Sequence, residues 1–133
     1  MSTIFDPVRK RHVTLTPEEE VRQCVIRHLH DKLGYPLELM QVECAITLNG
    51  LTKRCDIVVN NLQAKPVMIV ECKKPEVALN QKVVDQACRY NVVLQVPYLY
   101  LTNGRQNLIL EVDFAQQKLT PCPDFPTWEK LKG

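Results

Sequence analysis

The chain has 133 residues, of which 45% are hydrophobic and 24% charged, and its formal net charge is +2 at pH 7. This composition is ordinary for a folded protein large enough to bury its own core, so we expect one domain over residues 1–133. The charge does not by itself indicate nucleic acid, and the apolar runs are too short to cross a membrane. An N-terminus without an apolar signal segment and six cysteines without C-x-x-C spacing favour free thiols in a cytoplasmic protein.

The first part of the chain is predicted to be an extended arm over residues 1–13, followed by a helix over 17–33. Thr16 is typical of a helix N-cap, and Glu19 three residues later completes a capping-box pattern. Gly34 is typical of a helix end. The helical period is carried by Val21, Cys24, Val25, His28 and Leu29.

Three strands are predicted next. Apolar and polar residues alternate over 42–48, which is the two-residue period of a half-buried strand. Asn49 and Gly50 form the strongest short hairpin signal, so the chain should return as a second strand over 54–59. A polar loop then leads to an apolar third strand over 66–72.

A second helix is predicted over about 77–94, followed by two strands within 96–104 and 107–113. The proline-containing tail, 116–133, is expected to lie as a strap over a core formed by about 14–115. The element order is therefore helix, three strands, helix, two strands. This order predicts an α/β fold with a mixed central β-sheet flanked by helices.

Charged residues within the second strand and at the end of the third strand suggest a catalytic site. Glu71 and Lys73 share one face of the third strand because they are two residues apart, and Asp56 on the second strand can face the same place. Two carboxylates beside a cation suit metal-assisted phosphodiester cleavage, in which Mg²⁺ or Mn²⁺ activates water and withdraws charge from the phosphate. Lys73 would orient or deprotonate the water, and the backbone carbonyl of Cys72 would be a further metal ligand.

This pattern, D-(x)14-E-x-K, resembles the signature of the PD-(D/E)XK nuclease superfamily. Gln86 and Tyr90, four residues apart on the second predicted helix, resemble the QxxxY motif of its RecB-type members. The segments LTPEEEVRQ, GYP, RCDIVV, VECKKP, QACRYN and LTNG occur in the order seen in the N-terminal nuclease domain of type I restriction enzyme R subunits. The chain is most similar to a short, stand-alone form of that family.

The resemblance implies a restriction-endonuclease-like core, a divalent-metal site at Asp56 and Glu71, and a catalytic Lys73. It places Gln86 and Tyr90 near the substrate and makes DNA the expected partner. R subunits also carry an ATP-driven motor, and this sequence has no P-loop. A separate helicase or translocase chain, or a methyltransferase chain, is therefore an expected partner, and cleavage of both strands would favour a homodimer.

Further site residues are suggested by the family pattern and by position beside the motifs. Many members of the family place an acid from the first helix beside the metal, and Glu18 is the preferred candidate because Glu19 is explained by capping; Glu20 is a third choice. Arg54 and Lys74 lie beside the motifs and are candidates for substrate contact, with Lys74 reaching either phosphate or solvent.

Two alternatives stay open at this point. Glu71 and Lys73 could form an ordinary surface ion pair, and Glu43 could face either the site or solvent. The chain could also be a catalytically silent nucleic-acid-binding or assembly module, or a subunit of a multi-chain restriction complex. The nuclease hypothesis is preferred because a binding module has no need for two carboxylates facing phosphate.

Overall fold

The computed structural model describes residues 2–133, as eight strands and three α-helices. In chain order the elements are β1 Thr3–Asp6, β2 Arg11–Thr14, α1 Pro17–Arg27, β3 Met40–Leu48, β4 Leu51–Asn60, β5 Pro66–Cys72, α2 Gln81–Leu94, β6 Tyr98–Thr102, β7 Asn107–Asp113, β8 Lys118–Pro121 and α3 Trp128–Leu131. Within the described residues, none of the helices has the length and apolar character needed to cross a membrane.

Six strands form one mixed sheet in the order β3-β4-β5-β6-β7-β8. Neighbouring strands run antiparallel except β5 and β6, which are parallel and are joined through α2. A parallel pair needs such a crossover because a tight turn can only reverse the chain direction. The predicted α/β fold with a mixed central sheet is confirmed at this level.

Helices α1 and α2 cover opposite faces of the sheet, and alternate strand residues point to one or the other of them. On one face α1 packs against β4, β5 and β6; the buried residues there include Val21, Val25, Ile26, Leu29, Ile57, Val59, Met68, Val70 and Tyr100. On the other face α2 packs against the same strands; the buried residues there include Val84, Ala87, Val58, Ile69, Leu99 and Leu101. Strands β4 and β5 therefore lie between α1 and α2.

The central elements agree with the sequence prediction, with small differences at the helix ends. The β3–β4 turn has positive φ at Asn49 (52°) and Gly50 (78°), as the Asn-Gly hairpin requires. A π-helical turn at His28–Lys32 completes the helix predicted over 17–33. Helix α2 begins later than predicted because the Asn80 side chain accepts a hydrogen bond from the Val83 N–H and acts as N-cap.

The two ends of the chain differ from the prediction. Instead of an extended arm over 1–13, strands β1 and β2 form an antiparallel hairpin, with Asp6 opposite Arg11. Instead of a strap alone, the tail contributes β8 to the sheet edge before Trp128 packs against Tyr35 with ring centroids 5.8 Å apart. Both segments are short and largely polar, so their pairing depends on contacts that sequence periodicity does not show.

Candidate active site

Strands β4 and β5 separate at Asp56 and Glu71. Their pairing includes Ile57 opposite Val70 and goes no further toward this end. Beyond that point the Cys72 N–H donates a hydrogen bond to Oδ2 of Asp56 at 2.7 Å. The Asp56 side chain thus satisfies a buried backbone donor where strand pairing has stopped, and both acidic residues lie where the sheet opens.

The second oxygen of Asp56 is bound by an arginine from α1. Arg22 donates from Nη2 to Oδ1 of Asp56 at 3.0 Å and from Nη1 to Oε1 of Glu43 at 3.1 Å. Both Arg22 and Asp56 are buried. Glu43 therefore faces the site side, where the Arg22 guanidinium lowers the pKa of its carboxyl. Each oxygen of Asp56 has a fixed donor, which holds the carboxylate in one orientation.

The surroundings of Glu71 disfavour its charged form. Only 4% of the residue is exposed, and burial raises its pKa to about 7, with the negative charge of Asp56 as the second cause. The nearest cation is Lys53 of β4, whose Nζ lies 3.2 Å from Oε2 of Glu71. Lys53 and Lys73 both act to lower the Glu71 pKa. A second carboxylate beside Asp56 is therefore stable in its charged form only with a cation close by.

The α2 side of this region is a small pocket, called the Glu71 pocket below. It is lined by Lys53, Glu71, Lys73, Val83, Gln86 and Ala87. Lys53 also lies over the ring of Tyr90, with Nζ 5.5 Å from the ring centroid. The structure thus brings Glu71, Lys73, Gln86 and Tyr90 to the α2 side of the sheet, whereas the Asp56 side chain binds Arg22 of α1 and does not line this pocket. In the described residues, the ion pair of Glu71 is made with Lys53, so the simple surface pair between Glu71 and Lys73 is not what forms.

The remaining candidates lie at the margin. Arg54 and Lys74 are exposed. Glu18 is also exposed and lines a cleft between the N-terminal hairpin and α1. Glu19 is the buried acid of α1: its N–H donates to Thr16 as expected of a helix N-terminus, but its carboxylate accepts hydrogen bonds from Arg9, Arg22 and Gln23. Its side chain therefore belongs to the ion pairs around Asp56 rather than to a capping box.

Two residues of the site were missed from the sequence, Arg22 and Lys53. Arg22 lies beside apolar positions of α1, and a basic residue next to a buried stripe is a weak signal. Lys53 lies three residues before Asp56, where its side chain is only 18% exposed. Both act through contacts between separate elements, and nothing in their local spacing indicates this.

Comparison with known proteins identifies the family. A family model described as the type I restriction enzyme R protein N terminus (HSDR_N) matches residues 17–126. The chain belongs to this family. A solved structure, the fragment of a chain assigned as an HsdR subunit of a type I restriction enzyme from Vibrio vulnificus YJ016, is similar with a TM-score of 0.63. Identity is 24%, over 88% of this chain and 24% of that one, so the likeness concerns the fold. No curated protein matches the chain.

The region matched to the R-subunit N terminus contains α1, β4, β5 and α2, which carry the candidate residues described above. It includes Arg22, Lys53, Asp56 and Glu71, and it begins at the first residue of α1. The hairpin β1–β2 lies before it. This R-subunit domain spans about a quarter of the length of the solved chain that it resembles.

Two carboxylates of this R-subunit domain are of the ligand type that a hard divalent cation takes. Within residues 2–133, no group of three or more Asp, Glu, His or Cys side chains is arranged to hold a metal. Mg²⁺, however, is commonly held by one or two carboxylates and keeps several waters. Asp56 and Glu71 supply two carboxylates, and Cys72, whose carbonyl is the further predicted ligand, stands between Glu71 and Lys73 in the sequence. The Lys53 ammonium already lies 3.2 Å from Glu71, so this position accommodates a positive charge.

Proposed function

We propose that this chain is a metal-dependent nuclease domain of the PD-(D/E)XK type that hydrolyses phosphodiester bonds in DNA. The observation that supports the proposal is that strand pairing stops at Asp56 and Glu71, close enough for the charge of Asp56 to raise the Glu71 pKa, with Lys73 and Gln86 lining the pocket beside Glu71. Membership of the R-subunit family supports a role in restriction or defence.

In this proposal each residue has a distinct task. Asp56, Glu71 and the backbone carbonyl of Cys72 would hold Mg²⁺ or Mn²⁺. When bound, the metal would lower the pKa of a coordinated water and withdraw charge from the phosphate. Lys73 lines the same pocket as Glu71 and would orient the attacking water or stabilise charge on the phosphate.

The α2 residues would position the substrate. Gln86 is exposed at the edge of the Glu71 pocket, so its amide is free to donate to a phosphate or base. Tyr90 is one helical turn further along and half-buried against Lys53. Lys74 and Arg54, both exposed near the site, would add contacts to the DNA backbone.

One observation favours a second candidate, a catalytically silent nucleic-acid-binding or assembly module within a restriction complex. Arg22 and Lys53 each bind one of the two site carboxylates. This neutralisation reduces the repulsion between the carboxylates and a phosphate, so the two acids do not by themselves exclude a binding role. Recovery of a helicase or methyltransferase chain with this domain would support that role.

Nicking of supercoiled plasmid separates the two candidates. The wild-type protein should nick DNA with Mg²⁺ and lose that activity in EDTA, and Glu71→Ala and Lys73→Ala should each reduce the rate by at least about 100-fold. Lys65→Ala, which removes an exposed lysine before β5, should cut like the wild type. An inert wild type, or equal cutting by Glu71→Ala and Lys65→Ala, would leave the binding role as the better account.

A further inference from the structure

The turn of the N-terminal hairpin is built around one buried carboxylate. Asp6 is fully buried and accepts hydrogen bonds from the Val8 N–H at 2.7 Å and the Arg9 N–H at 2.9 Å. Its other oxygen accepts from Nε of Arg9 at 2.6 Å. The hairpin therefore fixes not only its own turn but also the direction of the Arg9 guanidinium.

From Arg9 a series of ion pairs leads to the site. Nη2 of Arg9 lies 2.7 Å from Oε1 of Glu19, and the same oxygen lies 3.4 Å from Nη1 of Arg22. Arg22 then binds Asp56 at 3.0 Å. This ion-pair chain is defined by Asp6, Arg9, Glu19, Arg22 and Asp56. Charges alternate along its whole length, from the hairpin to the acid where β4 and β5 separate.

Glu43 contacts both arginines of the ion-pair chain. Its Oε1 lies 3.1 Å from Arg22 and 3.6 Å from Nη1 of Arg9. The two arginines are therefore held by the same two acids, Glu19 and Glu43. A movement of the Arg9 guanidinium would change the balance of charge that holds Arg22 on Asp56.

Burial makes each member depend on the next. Asp6, Glu19, Arg22 and Asp56 are all buried, and the Arg9 side chain is 14% exposed. Water screens such charges poorly, so removing one leaves its neighbour as an uncompensated buried ion. In the described part of the chain Nε of Arg22 makes no hydrogen bond, so the two Nη groups alone fix its orientation. Loss of Arg9 should therefore reach Asp56 through Glu19 and Arg22.

We propose that the hairpin β1–β2 is a positioning element of the site, in which Arg9 and Arg22 hold Asp56 in the orientation that a metal ligand needs. The role of Asp56 as a metal ligand rests on the proposed function. The claim that the hairpin fixes the position of Asp56 does not. The hairpin lies before the region matched to the R-subunit family, so the proposed site extends beyond the matched residues.

The test compares Arg9→Met with Arg11→Met. Arg11 is in the same hairpin but is exposed, and within residues 2–133 it forms no ion pair. The first readout is amide hydrogen exchange of Cys72 by NMR, measured relative to that of Met68 in the same strand, because the Cys72 N–H donates to Asp56 whereas a loss of overall stability changes both amides. The second is the Mg²⁺ dependence of plasmid nicking. Arg9→Met should speed Cys72 exchange and raise the half-saturating Mg²⁺ concentration, each by about tenfold, whereas Arg11→Met should change neither.

Arg9→Lys guards against a variant that fails to fold, since it keeps the charge and loses the forked contacts. It should give a smaller change in the same two readouts. If Arg9→Met lowers only the free energy of unfolding, and Cys72 exchange and Mg²⁺ dependence match Arg11→Met, the hairpin is merely structural and the proposal is overturned. If the wild type does not cut DNA at all, the nuclease proposal fails, and Cys72 exchange still decides whether the hairpin positions Asp56.

Discussion

The two site carboxylates lie on neighbouring strands but are held in very different ways. Asp56 has a donor on each oxygen, the Cys72 N–H and the Arg22 guanidinium. Arg22 is in turn fixed by buried acids and by the hairpin. Glu71 is buried to a similar degree, yet its ion pair is made by one lysine, Lys53, and its pKa is raised to about 7.

The difference shows two ways of keeping an acid inside a protein. On the α1 side a network of fixed charges stabilises Asp56 and gives it one orientation. On the α2 side Glu71 has a repulsive neighbour in Asp56, one ion pair with Lys53 and a second, more distant cation in Lys73. Such an arrangement disfavours the charged form of Glu71, and we expect that another cation can replace Lys53 there. We infer that Asp56 sets the geometry of the site and Glu71 its response to ions.

The largest effect on stability is expected from Arg22→Met, which removes the ion pairs that fix Asp56. It leaves Glu19 and Asp56 buried without their shared cation, so we expect a loss of about 3–5 kcal/mol in the free energy of unfolding. Urea denaturation measures the change. Arg27→Met is the matched control because Arg27 is an exposed basic residue of the same helix. A loss no larger than that of the control would mean that the buried ion pairs do not hold Asp56.

The unfavourable environment of a charged Glu71 should make the free energy of unfolding depend on pH when no metal is present. Burial raises the pKa of Glu71 from 4.5 to about 7, so the folded protein binds a proton more tightly than the unfolded chain. The protonated form therefore stabilises the fold fully below pH 4.5, and this contribution is lost as the pH rises through about 7. Between pH 8 and pH 5 the wild type should gain about 1–3 kcal/mol that Glu71→Gln does not gain.

Urea denaturation in EDTA at several pH values measures this difference. Glu129→Gln is the control, because Glu129 is exposed and far along the chain in α3, and it should keep the wild-type slope. Parallel pH profiles for wild type and Glu71→Gln would show that Glu71 is charged at little cost. The contrast between the two carboxylates would then be wrong.

The contribution of the Lys53 ion pair to stability is tested by Lys53→Met. At pH 8 the variant removes the ion partner of a charged Glu71 and should lower the free energy of unfolding by about 1 kcal/mol. At pH 5, where Glu71 is protonated, the loss should be smaller. Lys118→Met, an exposed lysine in β8, should show no such pH dependence. A loss that is equal at both pH values would assign Lys53 a packing role instead of an ionic one.

The sequence predicted the parts of this picture that depend on local spacing. The Asn49-Gly50 turn follows from backbone preference, and the placing of Glu71 and Lys73 on one face follows from strand alternation. Arg22 and Lys53 did not follow, because each acts on an acid from a different segment. The hairpin over 3–14 was missed for the same reason, since a buried carboxylate rather than an apolar pattern orders its turn.

The smallest effects are expected at Tyr90, where stability and substrate contact can be separated. The ring of Tyr90 lies beneath the Lys53 ammonium, and an interaction of this kind contributes about 0.5–1 kcal/mol. Tyr90→Leu should lose about that much stability, whereas Tyr90→Phe keeps a ring and should lose almost none. If the hydroxyl contacts DNA, Tyr90→Phe should still slow plasmid nicking several-fold. Equal cutting by Tyr90→Phe and wild type would restrict Tyr90 to holding Lys53 near Glu71, because the ring alone would then explain every effect of the residue.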